Sequence, residues 1–360
     1  MSADITPDEV TEHGLPRKLV GGWLMLVTQL ALAFSTFQLV IAAYAPLSSL
    51  VTRSFHVGFL LAITLLLYPH AVGHARNPKK NTRVPWYDFL LALLALILAL
   101  YHWFFEGDLI QRSGDPSTTD IAVGTIFVVL VFEATRRVMG LALPILCAIF
   151  LAYGLWGQYL PDFMAHRGYD YAQIIDTLFL STEGIFGVPT FVSATYIFLF
   201  ILFGAFLEHA GMIRLFNAVA LGLVGHTQGG PAKVAVISSG LMGTISGSGV
   251  ANVLTVGQFT IPLMMRYGYS PVFAGAVEAT ASMGGQIMPP VMGAVAFIMA
   301  ETLNVPYSEI VKAAIIPALL YYFTAFWMVH LEAGAKGLRG IPKAELPNPW
   351  RALKENWHLV

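Results

Sequence analysis

Two short runs in this chain combine oxygen-bearing side chains with residues that break helices. They are Gly243-Thr-Ile-Ser-Gly-Ser-Gly-Val-Ala-Asn252 and Gly284-Gly-Gln-Ile-Met-Pro-Pro290, both inside otherwise apolar sequence. Ser246, Ser248 and Asn252 supply neutral oxygens, while Gly243, Gly247 and Gly249 allow backbone carbonyls to turn inward. Hard oxygen ligands without thiolate or imidazole suit a weakly charged cation such as Na⁺. Helix ends aimed at the same cavity favour an anionic group at their N-termini. The same small residues also allow a plainer reading, a close-packed face between helices.

In the second run, Pro289 and Pro290 each lack an N–H, and Pro289 disfavours a helical residue before it. Backbone carbonyls around 284–288 therefore lose helical partners and are available to complete a cation shell. The candidate cation ligands are Ser246, Ser248, Asn252, Gly284, Gly285 and Pro289. Gly247, Gly249, Glu278, Gln286 and Pro290 are the candidate lining of a substrate cavity. A simple kink is the alternative for the second run. Glu278 lies within an apolar stretch, where an ionisable side chain is costly and faces a cavity or a partner. It has three possible uses: binding a coupling cation, carrying a proton, or pairing with a distant Lys or Arg. A structural hydrogen bond is the bland reading.

The elements that must hold these residues are membrane helices. Of 360 residues, 56% are hydrophobic and 11% charged, against about 25% charged in soluble domains. Apolar stretches at 22–45, 57–73, 88–106, 119–134, 138–160, 188–208 and 311–330 are long enough to read as spans. The expected fold is all-α and polytopic, with about 7–9 membrane helices that include a re-entrant hairpin and a broken helix. A lipid-exposed backbone cannot break its helix at membrane depth, so both breaks must line protein. Broken helices of this kind hold ions and anionic substrates in secondary transporters.

Lys and Arg set the expected orientation. Arg17 and Lys18 precede the first span, Arg76, Lys79, Lys80 and Arg83 fill the second loop, and Arg136 and Arg137 follow the fourth span. This places the N-terminus in the cytoplasm. Met1–Pro16 carries acids and lacks the basic start of a cleaved signal peptide. The single cysteine, Cys147, builds neither a disulfide framework nor a thiolate metal site. His70 and His74 share a helical face but adjoin a basic loop, so interfacial solvation explains them. Phosphate-binding loops, zinc-protease motifs and basic nucleic-acid stripes are absent, and no cofactor, structural metal or nucleic-acid partner is expected.

The composition changes near residue 136. Before it, four hydrophobic helices carry almost no intramembrane polar residues; after it, Gly, Ser, Thr and Pro recur inside apolar stretches. The expected division is an accessory four-helix region (1–135), a transport region (136–330) and a polar linker (331–360). Within the transport region the hairpin covers 231–266 and the broken helix 271–303. Residues 161–187 read as a polar exterior segment. Residues 209–225 are too short to cross a bilayer and read as a helix lying in the interface. Two short arms, 232–245 and 250–265, flank Ser246-Gly-Ser-Gly249 as a hairpin.

Over Gly243–Ala300 the sequence resembles the large permease subunit of tripartite ATP-independent periplasmic (TRAP) transporters. The resemblance is carried by Gly-Thr-Ile-Ser-Gly-Ser-Gly-Val-Ala-Asn-Val, Thr-Ile-Pro-Leu-Met with Gly-Tyr, and Gly-Gly-Gln-Ile-Met-Pro-Pro-Val-Met-Gly-Ala-Val-Ala-Phe. It is closest to the subgroup with fused small and large subunits that works with a TAXI-type binding protein. The resemblance implies an elevator-type importer in a bacterial or archaeal cytoplasmic membrane. It would be driven by Na⁺ and fed an organic acid by a soluble periplasmic protein. Residue by residue, Ser246, Ser248 and Asn252 match the first hairpin's tip, and Gly284, Gly285, Pro289 and Pro290 match the unwound stretch after it. Residues 209–225 match the arm helix beside the hairpin. The family pattern has a second hairpin and a second broken helix beyond the residues present here, so the remaining half of the permease is an expected partner.

Two rivals are weighed against transport. An intramembrane serine hydrolase using Ser246 or Ser248 needs a nearby base and an oxyanion hole. No Gly-x-Ser-x-Gly run is centred on either serine. A non-transporting scaffold or truncated subunit is the second rival.

Overall fold

The computed structural model describes residues 16–70 and 82–359. Among them every regular element is helical. Among the described residues six helices are long and apolar enough to cross a membrane: Gly22–Tyr44, Ser49–Leu67, Trp86–Phe104, Ala142–Tyr159, Val188–Ala210 and Tyr307–Ala335. Arg76, Lys79, Lys80 and His74 of the expected second loop lie outside the described residues, as does most of the N-terminal segment. The helix Thr118–Met139 forms where a fourth span was read, opened by a Ser117–Asp120 capping box. It carries four charged residues, Asp120, Glu133, Arg136 and Arg137.

The second helix begins at Ser49, eight residues before the expected start at 57. Ser48 caps it by accepting the Val51 N–H. Polar Arg53, Ser54 and His56 hid this first stretch, because hydropathy counts them against a span. Inside the fold each finds a partner, and the helix gains two turns.

Contacts divide the chain into two compact units, Met1–Ala194 and Thr195–Val360. This packing boundary falls well after the compositional change at 136. In the first unit, Leu61, Leu65, Ala95, Phe127, Phe179 and Phe186 form a buried core. Ser49–Leu67 and Trp86–Phe104 approach closely, since a methyl on Gly58 would lie 2.4 Å from the Ala99 Cβ. Ile175, Phe179 and Phe186 come from the segment read as polar and exterior. The segment is therefore not polar throughout: within 171–187 these three apolar side chains are buried beside Asp176 and Glu183.

The first unit is also less apolar inside than its sequence suggests. Gln38, Ser54, His56 and His102 are all buried. Gln38 contacts His56, whose other ring nitrogen lies 3.0 Å from Ser193 Oγ. Ser54 Oγ donates to Ala99 O at 3.0 Å and lies 3.0 Å from His102 Nδ1, while His102 Nε2 lies 2.9 Å from Phe179 O. At the helix ends, Asp88 pairs with both Arg17 and Arg137, the latter at 2.8 Å. Arg137 and Arg136 each reach Glu133 at 2.7 Å, and His70 Nδ1 lies 2.8 Å from the same carboxylate. Three of the arginines used as topology signals are thus ion-paired within the fold.

In the second unit the hairpin arms, Gly230–Ser246 and Gly249–Arg266, both pack on Pro271–Met283, and the first arm also packs on Tyr307–Ala335. Met264, Tyr269, Ala274, Val277, Ala281 and Val329 form the common core. The helix Met212–Val224 lays Leu215, Asn217 and Ala220 against the first arm. Residues beyond 331 do not run free as a linker. Ile341 N–H donates to Gly225 O at 2.8 Å, and a methyl on Gly222 would sit 2.6 Å from Pro349 Cδ. Gly222 and Gly225 give the helix a smooth face on which the tail lies down.

Candidate functional site

The first arm ends where its residues stop favouring a helix. Gly247 takes a left-handed conformation (φ 58°, ψ 0°), one a side chain rarely adopts. Ser248 then caps the second arm, its hydroxyl accepting the Ala251 N–H at 3.3 Å. Ser246 closes the first arm and Asn252 sits in the opening turn of the second. Both therefore stand at the tip of a hairpin at 246–249, as their spacing predicts.

The broken helix meets this tip. Pro271–Met283 is capped by Ser270, runs to Gly284, and tightens into a short 3₁₀ turn over Gly284–Ile287. The chain is irregular across Pro289–Val291 and resumes as the helix Ala294–Leu303. Gly293 N–H donates to Gln286 O at 2.7 Å, folding the irregular stretch into a loop. Tyr307 pins it from outside, its hydroxyl donating to Val291 O and lying 3.0 Å from Pro290 O. The Tyr307 ring stacks on Phe297 with centroids 4.3 Å apart.

Glycines set the approach. A methyl on Gly243 would stand 2.5 Å from Gly285 Cα, and one on Gly247 would stand 1.9 Å from Met292 O. A methyl on Gly249 would meet Met283 Sδ at 2.5 Å. Gly284 lies against Tyr321 and Tyr322, whose hydroxyls donate to Thr280 O at 2.8 Å and Ala281 O at 3.0 Å. The two runs singled out in the sequence are brought into backbone contact.

Two oxygens at this meeting point are distinctive. Ser246 Oγ and Asn252 Oδ1 are buried with no hydrogen-bond partner among the described residues. Asn252 is fully buried, and its Nδ2 donates to Ser239 O at 2.8 Å, which turns Oδ1 the other way. A buried acceptor left unmatched costs roughly 1–3 kcal/mol, so such groups call for a specific account. Ser248 differs, because it is exposed and occupied as a cap. Gln286 and Pro290 are exposed, Pro289 is half-buried, and Gly284 and Gly285 are buried.

Glu278 is fully buried beside the second arm, where a methyl on Gly257 would lie 3.1 Å from its Cγ. Three hydroxyls surround its carboxyl: Ser239 at 2.9 Å and Ser282 at 2.8 Å on Oε1, and Thr260 on Oε2. Ser239 and Thr260 escaped the sequence reading. Both are ordinary residues at helical positions, and only the packing of three helices aims them at one carboxyl. Ser238, which pairs with Asn217 and ties Met212–Val224 to the first arm, escaped for the same reason.

The sequence profile of the tripartite ATP-independent periplasmic transporter, DctM component, matches residues 126–360. The chain belongs to this TRAP transporter family. It is 31% identical over 163 residues to the C4-dicarboxylate TRAP transporter large permease protein DctM of Pseudomonas aeruginosa, covering 45% of this chain and 38% of that protein. It is 30% identical over 178 residues to the sialic acid TRAP transporter large permease protein SiaM of Vibrio cholerae (49% of this chain, 41% of that protein). A third relative, the isethionate TRAP transporter permease protein DctMQ of Oleidesulfovibrio alaskensis, is 28% identical over 151 residues, with 42% and 22% covered. The chain spans less than half the length of these curated relatives. As a TRAP family member it is a multi-pass membrane component of a transporter, which sets aside the serine hydrolase.

Proposed function

We propose that this TRAP family chain supplies one hairpin and one broken helix of a Na⁺-coupled permease that imports organic acids. The observation that carries the reading is the pair of buried, unmatched acceptors, Ser246 Oγ and Asn252 Oδ1, at a hairpin tip packed on a broken helix. A monovalent cation held by these oxygens and by carbonyls near Gly284 and Gly285 offsets their desolvation. Ser248 shapes the tip as a cap. The hairpin's second arm starts at Gly249, and its N-terminal end favours an anionic substrate group.

The relatives' names give a dicarboxylate, sialic acid and isethionate, all organic anions, which supports an organic acid as cargo. In this reading a periplasmic binding protein of the TAXI type delivers the substrate, and a second permease half completes the cavity. The assembly sits in the cytoplasmic membrane with the N-terminus of this chain inside.

The test is uptake of labelled organic acids into proteoliposomes holding this chain, a co-expressed second half and the binding protein. Uptake that needs an inward Na⁺ gradient and is lost in Ser246→Ala and Asn252→Ala supports the reading. Folded protein whose uptake ignores both substitutions overturns the cation site. No Na⁺-dependent uptake in any mixture favours a scaffold.

A further inference from the structure

Among the described residues Glu278 is the one carboxyl in the second unit that is fully buried, and the cation site described above does not use it. Its surroundings are specific. Ser239 comes from the first arm, Thr260 from the second, and Ser282 from its own helix. From Tyr307–Ala335, Tyr322 feels the Glu278 carboxyl, and its hydroxyl is committed to Ala281 O at 3.0 Å. Lys233, on the first arm's opening turn, turns its ammonium to Thr227 Oγ1 at 3.3 Å and over the Phe326 ring at 4.8 Å. Among the described residues no ion pair includes Glu278.

An uncompensated carboxylate at this depth is costly, and a group so placed neutralises instead. The cage accepts the neutral acid without moving a heavy atom. Ser239 and Ser282 donate to Oε1, which serves as the carbonyl oxygen of a carboxylic acid. Thr260 Oγ1 lies 3.1 Å from Val256 O as well as within hydrogen-bond distance of Oε2. Its single proton goes to one of them. When Thr260 donates to Val256 O, its lone pair accepts a hydrogen bond from a proton carried on Oε2. Rotating the same hydroxyl lets it donate to the carboxylate. All three partners are hydroxyls, so the cage holds either protonation state.

We propose that Glu278 is a proton-binding site, charged and discharged in competition with the cation at the hairpin tip. The link is Ser239. Its hydroxyl donates to Glu278 while its carbonyl accepts from Asn252 Nδ2 at 2.8 Å. Positive charge arriving at Asn252 Oδ1 favours the carboxylate. The O–H bond on Oε2 breaks, the electron pair stays on oxygen, and the proton passes to bulk water. By linkage the proton opposes the cation to the same degree. This competition rests on the cation reading of the tip; the protonation of Glu278 does not.

Two measurements on the permease reconstituted with its second half separate these claims. Infrared spectroscopy in Na⁺-free buffer at neutral pH is expected to show a protonated-carboxyl C=O band that shifts in D₂O and disappears in Glu278→Gln. Thr260→Val, which removes the acceptor and keeps the volume, should shift the band and serves if the Gln variant does not fold. A band unchanged in both variants, or no band, overturns the proposal. Na⁺ titration at stepped pH is then expected to show Kd falling as pH rises, by up to roughly tenfold per pH unit for one proton exchanged. In Glu278→Gln that dependence should vanish. A Kd flat with pH in the native protein overturns the competition. No Na⁺ binding at any pH overturns the cation reading and the competition with it, and the infrared band still decides whether Glu278 binds the proton.

Discussion

Gly243 of the hairpin and Gly285 of the broken helix touch through their backbones, so closely that a methyl on Gly243 would lie 2.5 Å from Gly285 Cα. No side chain separates the two breaks. The neighbour is backbone rather than the end of a flexible side chain, and it follows a helix end that Tyr321 and Tyr322 hold through Thr280 O and Ala281 O. This contact sets the distance between the hairpin oxygens and the carbonyls of the unwound stretch.

Gly243→Ala should therefore destabilise the protein by about 1–3 kcal/mol through overpacking and impair Na⁺ binding. Gly275→Ala is the control, since nothing lies within 4 Å of a methyl there. It should be neutral or stabilising by up to about 1 kcal/mol, as Ala replaces Gly inside a helix. Thermal unfolding in detergent reads both. Equal effects from the two would show that the close approach is unimportant.

Ser248 and Ser246 differ by two positions and should behave differently. Ser248→Ala removes an N-cap and should cost about 0.5–2 kcal/mol of stability, leaving Na⁺ affinity nearly unchanged. Ser246→Ala removes an acceptor with no partner and should weaken Na⁺ binding with little loss of stability. Calorimetric Na⁺ titration alongside melting curves distinguishes them, and the reverse pattern would exchange their roles.

Tyr307→Phe keeps the ring stack on Phe297 and removes the hydroxyl that holds Pro290 and Val291. A loss of about 0.5–1.5 kcal/mol is expected, with faster hydrogen exchange confined to the stretch around 288–293. Uniformly raised exchange across the whole unit would contradict a local pin.

Asp88→Asn strips the carboxylate that Arg17 and Arg137, both buried, share. Arg137 keeps Glu133, but Arg17 loses its carboxylate, and a buried guanidinium left uncompensated costs about 3–5 kcal/mol, enough to lower the yield of folded protein sharply. Size-exclusion profiles and melting temperature check this. Wild-type behaviour would mean the pair is replaceable.

Much of the fold was legible in the residues alone, because a bilayer leaves few choices. An apolar run of span length must be a helix, so Gly22–Tyr44, Trp86–Phe104 and Tyr307–Ala335 were visible to within a few residues. Clustered Gly, Ser and paired Pro end helices where the single Pro262 and Pro317 do not, so the tip at 246–249 and the break at 284–290 were visible too. Those are one-dimensional facts, written by backbone chemistry.

The sequence could not show who pairs with whom. Hydropathy counts Arg53, His56 and Asp88 as obstacles to a span, yet partners far along the chain hydrogen-bond the first two and pair with the third. The same distance hid the cage around Glu278, whose members lie 39, 18 and 4 residues away. Residue type announced that a buried acid needs an explanation. Only the packing of three helices decided that hydroxyls, and not a lysine or arginine, would answer it.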